Sequence, residues 1–304
     1  MAHSYKIVGA IALAAAAACS TDPTAPDLKS ATNASAGVPA ASTNNVVVTE
    51  SDISRQAEDT PPLRNWVFYS RPPSSTGFFV SGPGNPPMGV GSFEMTTVLT
   101  TDKGTLFNYD HVGTRLADIG AISYATYRDP ASTADPVQLP SINIEIDKNG
   151  GAFLPGDYAT LVFEPIYNVP ASAIHSGEWQ TWNGIPGIWW TTRAINGPGG
   201  TTCAPVTCYI SWADIVANNP DATILGGFGI NQGSGSTGLI AATDALSISA
   251  SGDTWTYNFE PFRSPTSKDE CKNGGWQNVK AADGSSFKNQ GQCIKYVNET
   301  NHNN

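Results

Sequence analysis

The chain has 304 residues, a formal net charge of −10, only 14% charged residues, and 30 Gly with 22 Pro. An acidic chain without basic patches interleaved with aromatics repels a phosphate backbone, which excludes a nucleic-acid binder. Low charge with many turn formers suits an exported all-β protein better than a helical cytosolic one, and the length allows one large domain or two smaller ones.

Residues 1–19 read as a targeting segment. Lys6 supplies the positive start, and Ile7–Ala18 is an apolar run too short to span a bilayer. It ends in Ala16-Ala17-Ala18-Cys19-Ser20, which resembles a bacterial lipobox, where the Cys is acylated and becomes the mature N-terminus. The resemblance implies a lipid-anchored protein of the cell envelope or surface, in contact with membrane through Cys19 alone. Ala16 stands where that pattern usually carries Leu, so secretion without lipid is the alternative.

With Cys19 acylated, four cysteines remain in two local pairs, Cys203 with Cys208 and Cys271 with Cys293. An even remainder in an exported chain reads as disulfides. Zinc is disfavoured because the cysteines form no Cys-x-x-Cys pair and the four histidines are scattered.

Residues 20–61, rich in Ser, Thr, Ala, Asn and Pro, read as a disordered tether. A β-sandwich is expected over 62–262, with about ten strands. Trp66–Tyr69, Phe78–Val80, Gly91–Thr100, Leu106–Tyr109 and Leu116–Tyr127 come first, with Gly120 marking a bulge. Ile142, Ile144 and Ile146 alternate with polar residues, and Tyr158–Phe163 follows a Gly-rich break, so these two runs pair antiparallel at the centre. Strands follow near Trp179–Trp182 and Ile188–Arg193. Ser211–Asn219 is a helix, with Ser211 as cap, Asp214 as capping acid and Asn219-Pro220 as stop. Strands at Thr223–Ile230, Leu239–Ala250 and Trp255–Phe259 complete the sandwich. Gly226–Gly235 reads as a turn with positive-φ positions, because neither a following helix nor a Gly-Lys-Ser/Thr supports phosphate binding. Residues 263–304 form a small tail of two helical turns stapled by Cys271–Cys293, around Trp276, Phe287 and Tyr296.

The order LADIGAISYATY, SINIEID, ATLVFEP, GEWQTW, IWW, a capped helix, ILGGFGINQGSGSTG, TDALSI and TYNFE resembles a domain family of exported bacterial proteins. The tail, CKNGGWQNV with FKNQGQCIKYV, resembles a short C-terminal element of such proteins. The resemblance implies an all-β, jelly-roll-like antiparallel sandwich outside the cytoplasm, and no settled activity.

Several constellations bear on function. Trp179, Trp182, Trp189 and Trp190, with Gln180, Asn183 and Arg193, could stack on sugar rings and read hydroxyls, although Trp is also a normal core residue. Trp189 and Trp190 are adjacent on a strand and must face opposite ways. Glu145 and Asp147 share a strand face, as paired carboxylates for sugar hydrolysis do. The third acid of that pattern is missing, since Asn149 and Gly150 stand in its place. Glu94, Asp244 and Glu260 lie near strand ends, where related sandwiches hold a structural Ca²⁺, without a dense Asp loop. No cofactor is expected beyond such an ion. No Gly-x-Ser-x-Gly elbow supports a serine triad. The expectation is a surface lipoprotein that binds glycan without catalysis. The alternatives are a carbohydrate-active hydrolase or lyase using Glu145 and Asp147, and a structural envelope protein with no small ligand.

Overall fold

Alternating isoleucines become a buried strand when a partner strand covers their shared face, and among the described residues seventeen strands are available to do so. The computed structural model describes residues 41–71, 74–154 and 156–301, and residues from Ala40 onward form one unit. Cys19 and the tether up to residue 40 lie outside the described residues. In chain order the strands are β1 (Thr43–Val48), β2 (Ile53–Ala57), β3 (Trp66–Arg71), β4 (Thr76–Ser81), β5 (Gly91–Thr96), β6 (Lys103–Asn108), β7 (Ile119–Arg128), β8 (Ser141–Asp147) and β9 (Tyr158–Phe163). Then come β10 (Trp179–Asn183), β11 (Ile188–Thr191), β12 (Ile195–Asn196), β13 (Thr202–Cys203), β14 (Ile210–Ser211), helix α1 (Trp212–Asn218), β15 (Thr223–Gly233), β16 (Ile240–Ala250), β17 (Asp253–Phe259) and helix α2 (Gln290–Asn301).

Two curled sheets pack face to face, the all-β sandwich that the alternation implies. The eight-stranded sheet runs β14-β11-β9-β8-β15-β6-β3-β2. The seven-stranded sheet is built on β16. One edge of β16 pairs β7 and then β10, and the other pairs β5 over its first half and β17 over its second. The central hairpin is β8 on β9, with Ile142, Ile144 and Ile146 opposite Phe163, Leu161 and Ala159. All six are buried between the sheets. Trp66 of one sheet meets Tyr257 and Phe259 of the other edge-on, with ring centroids 4.9 and 5.5 Å apart.

Several expectations meet a different outcome. The expected tether extends to residue 61, yet β1 and β2 lie within it and extend the sheets as parallel edge strands beside β17 and β3. Val48 and Ile53 are the apolar anchors that make this favourable, and both are buried. The glycine-rich stretch Gly226–Gly233 is strand rather than turn, and positive φ begins only at Ser234. The tail carries two short 3-10 turns and a twelve-residue helix, α2, around a core of Cys271, Val279, Phe287, Cys293 and Val297.

Other readings agree with the structure. Gly120 is the extra residue of a bulge between β7 and β16. Ser211 Oγ accepts the Asp214 N–H and caps α1. Both disulfides, Cys203–Cys208 and Cys271–Cys293, are present.

Candidate functional site

The outer faces of the two sheets differ in kind. On the seven-stranded sheet a second bulge, at Ala245 (φ 52°), aims Asp244 outward from the sandwich core. The segment 82–90 lies over it. Asp244 accepts N–H groups from Met88 (2.9 Å) and Phe259 (3.0 Å), Glu260 accepts that of Val90 (2.9 Å), and Trp179 Nε1 donates to the Pro83 carbonyl (2.8 Å). Burial pushes the Asp244 carboxyl up to about 7, and Glu260 is raised for the same reason. Both Asp244 oxygens and Glu260 Oε1 are engaged by backbone N–H groups, a donor set that suits a latch rather than a cation, while Glu260 Oε2 is buried without a hydrogen-bond partner. Glu94 is raised by burial and by the neighbouring Asp129. Among the described residues no group of His, Cys, Asp and Glu converges to hold a metal.

The outer face of the eight-stranded sheet is built differently. One register line crosses seven strands through Ser54, Val67, Phe107, Gly229, Asn143, Val162 and Trp190. A parallel line runs Gln56, Tyr69, Thr105, Asn231 and Ser141. Tall aromatics, Tyr69, Phe107 and Tyr109 on one side and Trp190 on the other, flank a floor of Gly, Ser, Asn, Thr and Val. Four strand spacings separate Phe107 from Trp190, or about 19 Å. We read this face as a shallow trough, in which half-exposed Tyr109, Tyr158 and Trp190 rise beside shielded positions such as Asn143 and Thr160.

The glycines of the floor are imposed by close approach. A Cβ on Gly227 would lie 2.1 Å from the Phe107 ring, and one on Gly226 2.3 Å from Glu145 Oε2. The register slips between Ile224 and Phe228, which turns the Gly227 N–H toward Glu145 Oε2 at 2.7 Å. Tyr158 Oη donates to Glu145 Oε1 at 3.0 Å and shares a 2.9 Å hydrogen bond with Thr160 Oγ1. Tyr69 and Tyr109 hydroxyls meet at 3.0 Å. Burial, then the Tyr69 hydrogen bond and the charge of Glu145, hold the Tyr109 phenol far above its ordinary range. Burial and Glu145 do the same to Tyr158, opposed in part by the Arg193 guanidinium. These phenols are therefore neutral hydrogen-bonding groups. Beside them Thr105, Asn231, Ser141 and Asn143 form a hydrogen-bonded row.

No family model, curated protein or solved structure matches the chain. Its geometry therefore carries the functional reading alone.

The tryptophan group divides between the sheets. Trp179, Gln180, Trp182 and Asn183 are on β10 of one sheet, and Trp189 and Trp190 on β11 of the other. Trp182 and Trp189 are core residues whose indole N–H groups donate to Thr126 Oγ1 and the Gly184 carbonyl. Trp179 anchors the 82–90 segment, and the Gln180 amide bonds His175 N–H and the Ala173 carbonyl. Asn183 is exposed at the end of β10. Only Trp190 and Arg193 stand by the trough, where Glu145 joins them. Asp147 shares that face but accepts the Asn149 and Gly150 N–H groups and shapes the turn.

Trp190 Nε1 donates to Glu164 Oε2 at 3.0 Å, and burial raises that carboxyl. Tyr69, Phe107, Tyr109, Tyr158 and Glu164 were not singled out from sequence. The usable signal was an aromatic at the polar phase of an alternating strand, as Tyr69 is after Trp66 and Phe68.

Proposed function

We propose that the chain is an exported bacterial envelope protein, lipid-anchored through Cys19, that binds neutral glycan in the trough without catalysis. The observation that carries this reading is the register line that sets Phe107 and Trp190 about 19 Å apart across a floor of small and amide side chains. The half-exposed rings of Tyr109, packed on the buried Phe107, and of Trp190 offer stacking faces, while Asn143, Asn231, Tyr109 and Glu145 offer hydroxyl partners. Glu145 and Glu164 together with the net charge of −10 disfavour an acidic polysaccharide.

Hydrolysis fits the face less well. Glu145 pairs with Thr160, and Glu164 lies four residues farther along the same face, about 13 Å away along the strand. Working carboxylate pairs stand roughly 5–9.5 Å apart, and Asp147 is committed to its turn. Two disulfides agree with an oxidising compartment, and among the described residues no helix is long and apolar enough to cross a membrane.

The test is retention on immobilised neutral glucan, mannan and xylan beside alginate and pectate. The protein should be retarded on at least one neutral matrix and on neither acidic one. Tyr109→Ala and Trp190→Ala should each abolish that retention with folding intact. Retention unchanged in both variants, or none on any matrix, sinks the proposal; the second result favours a structural envelope role.

A further inference from the structure

A second aromatic surface lies just beyond Trp190, and it follows from pairing at the edge of the eight-stranded sheet. β14 is the edge strand beside β11, with Ile210 opposite Trp189. Both of those side chains are buried, so Tyr209, one residue before Ile210, stands on the outer face next to Trp190. The register line from Phe107 through Trp190 thus gains one more strand, five spacings or about 24 Å in all. Tyr209 is 43% exposed, and its ring meets that of Tyr167, 44% exposed, with centroids 4.7 Å apart.

The backbone under both rings is fixed. Tyr167 ends the 3-10 turn Pro165–Tyr167 that follows β9. The next residue, Asn168, ties that turn to β11. Its amide donates to the Glu164 and Ile188 carbonyls (2.9 and 3.1 Å) and accepts the Ile188 N–H (2.7 Å). Tyr209 is held between Ile210 in the core and Cys208, which packs against the core and is bonded to Cys203. Rings positioned in advance lose little freedom when a ligand stacks on them.

A polar group stands between this platform and the trough. A cavity of 250 Å³ is lined by Glu164, Tyr167, Gln138 and Ser236 among others. Glu164 Oε2 accepts the Trp190 Nε1–H, and this carboxyl makes no other side-chain hydrogen bond among the described residues. Its second oxygen is therefore an acceptor for a hydroxyl that enters beside Tyr167. An apolar partner would leave that oxygen unpaired and an anion would be repelled by it, whereas a sugar ring offers both an apolar face and hydroxyl donors.

On the glycan reading given above, we infer that Tyr167 and Tyr209 form a further sugar subsite and that the ligand is a linear oligosaccharide stretch rather than a mono- or disaccharide. A linked pyranose is on the order of one strand spacing long, about 5 Å, so the floor from Phe107 to Trp190 takes roughly four units and the platform roughly two more.

Isothermal titration of the full chain tests this, with the dimer, tetramer and hexamer released from the glucan, mannan and xylan matrices. In at least one series the hexamer should bind about fivefold more tightly than the tetramer. Tyr209→Ala and Tyr167→Ala should each bring the hexamer down to the affinity of the tetramer and leave the tetramer unchanged. Tyr209→Phe, which keeps the ring, should keep the gain. Equal affinity of tetramer and hexamer in the parent overturns the subsite and leaves the trough reading standing. So do alanine variants that both keep the full gain, or that both weaken tetramer and hexamer alike. No binding in any series, with no retention on any matrix, sinks the trough reading and the subsite together.

Discussion

Tyr158 donates its phenol hydrogen to Glu145 Oε1 at 3.0 Å across the β8–β9 pair, while the other carboxylate oxygen takes the Gly227 N–H. The carboxylate thus ties three strands on the outer face of the eight-stranded sheet. Its place in the strand pattern suggests a reactive acid, and its partners make it a fixed wall of the trough.

Glu145→Ala leaves the buried Gly227 N–H without its acceptor and the half-buried Tyr158 hydroxyl with Thr160 Oγ1 alone. It should cost about 1–3 kcal/mol in urea unfolding, whereas Glu145→Gln, which restores one acceptor, should cost less. Equal midpoints for the alanine variant and the parent would show that the carboxylate holds nothing in place.

The two core and wall tryptophans should part company. Trp182→Ala empties a fully packed site and should lose about 3–5 kcal/mol. Trp190→Ala removes a half-exposed ring and should lose about 1 kcal/mol while glycan retention disappears. Comparison of urea midpoints with gel retention for both variants separates structure from binding.

Stability should fall as pH rises from about 4 toward 8. The folded Asp244 carboxyl is raised from 3.8 to about 7, so the folded state holds a proton that the unfolded chain has released. That contribution is complete below the unfolded value and is lost as pH passes through the folded one. Glu94, Glu164 and Glu260 shift in the same direction. Thermal melts across this range should fall steeply for the parent and less for Asp244→Asn. Parallel curves would place the pH dependence elsewhere.

The tail depends on its staple. Cys271–Cys293 closes a loop of 22 residues, worth about 3 kcal/mol in the chain-entropy account. The paired Cys271→Ala, Cys293→Ala variant should expose residues 263–301 to limited proteolysis and leave the sandwich intact. A protease-resistant tail in that variant would show that Val279, Phe287 and Val297 suffice without the bond.

Gly227→Ala drives a Cβ into the Phe107 ring. It should cost about 1–3 kcal/mol by overpacking and shift the wall that Phe107 forms. Loss of retention out of proportion to loss of stability would mark that wall as a contact surface.

Much of this could be read from the residues alone. Period 2 in Ile142, Ile144 and Ile146 identified a strand and its inward face, because successive side chains must point opposite ways, although the polar face expected to be open is shielded too. The same rule separated Trp189 from Trp190. The Ser211 cap, the Gly120 bulge and the two cysteine pairs were legible because each is settled within a few residues or by parity. Their outcomes depended little on distant chain.

Partner choice was not legible in this way. Trp179–Asn183 and Ile188–Thr191 lie within thirteen residues, yet they join different sheets, one pairing with β7 and the other with β9. A strand's alternation says which side is apolar and nothing about which distant edge will satisfy its N–H and C=O groups. That choice assembled the trough from Tyr69, Phe107, Asn231, Asn143 and Trp190, residues spread over more than 120 positions. It also drew β1 and β2 from a polar N-terminal stretch into the sheets. Strand faces, caps, disulfides and the all-β class were legible in the residues because they follow from local backbone and side-chain chemistry. Which faces became core, which became latch and which became a candidate binding surface emerged only in the folded chain, because non-local pairing sets those neighbours.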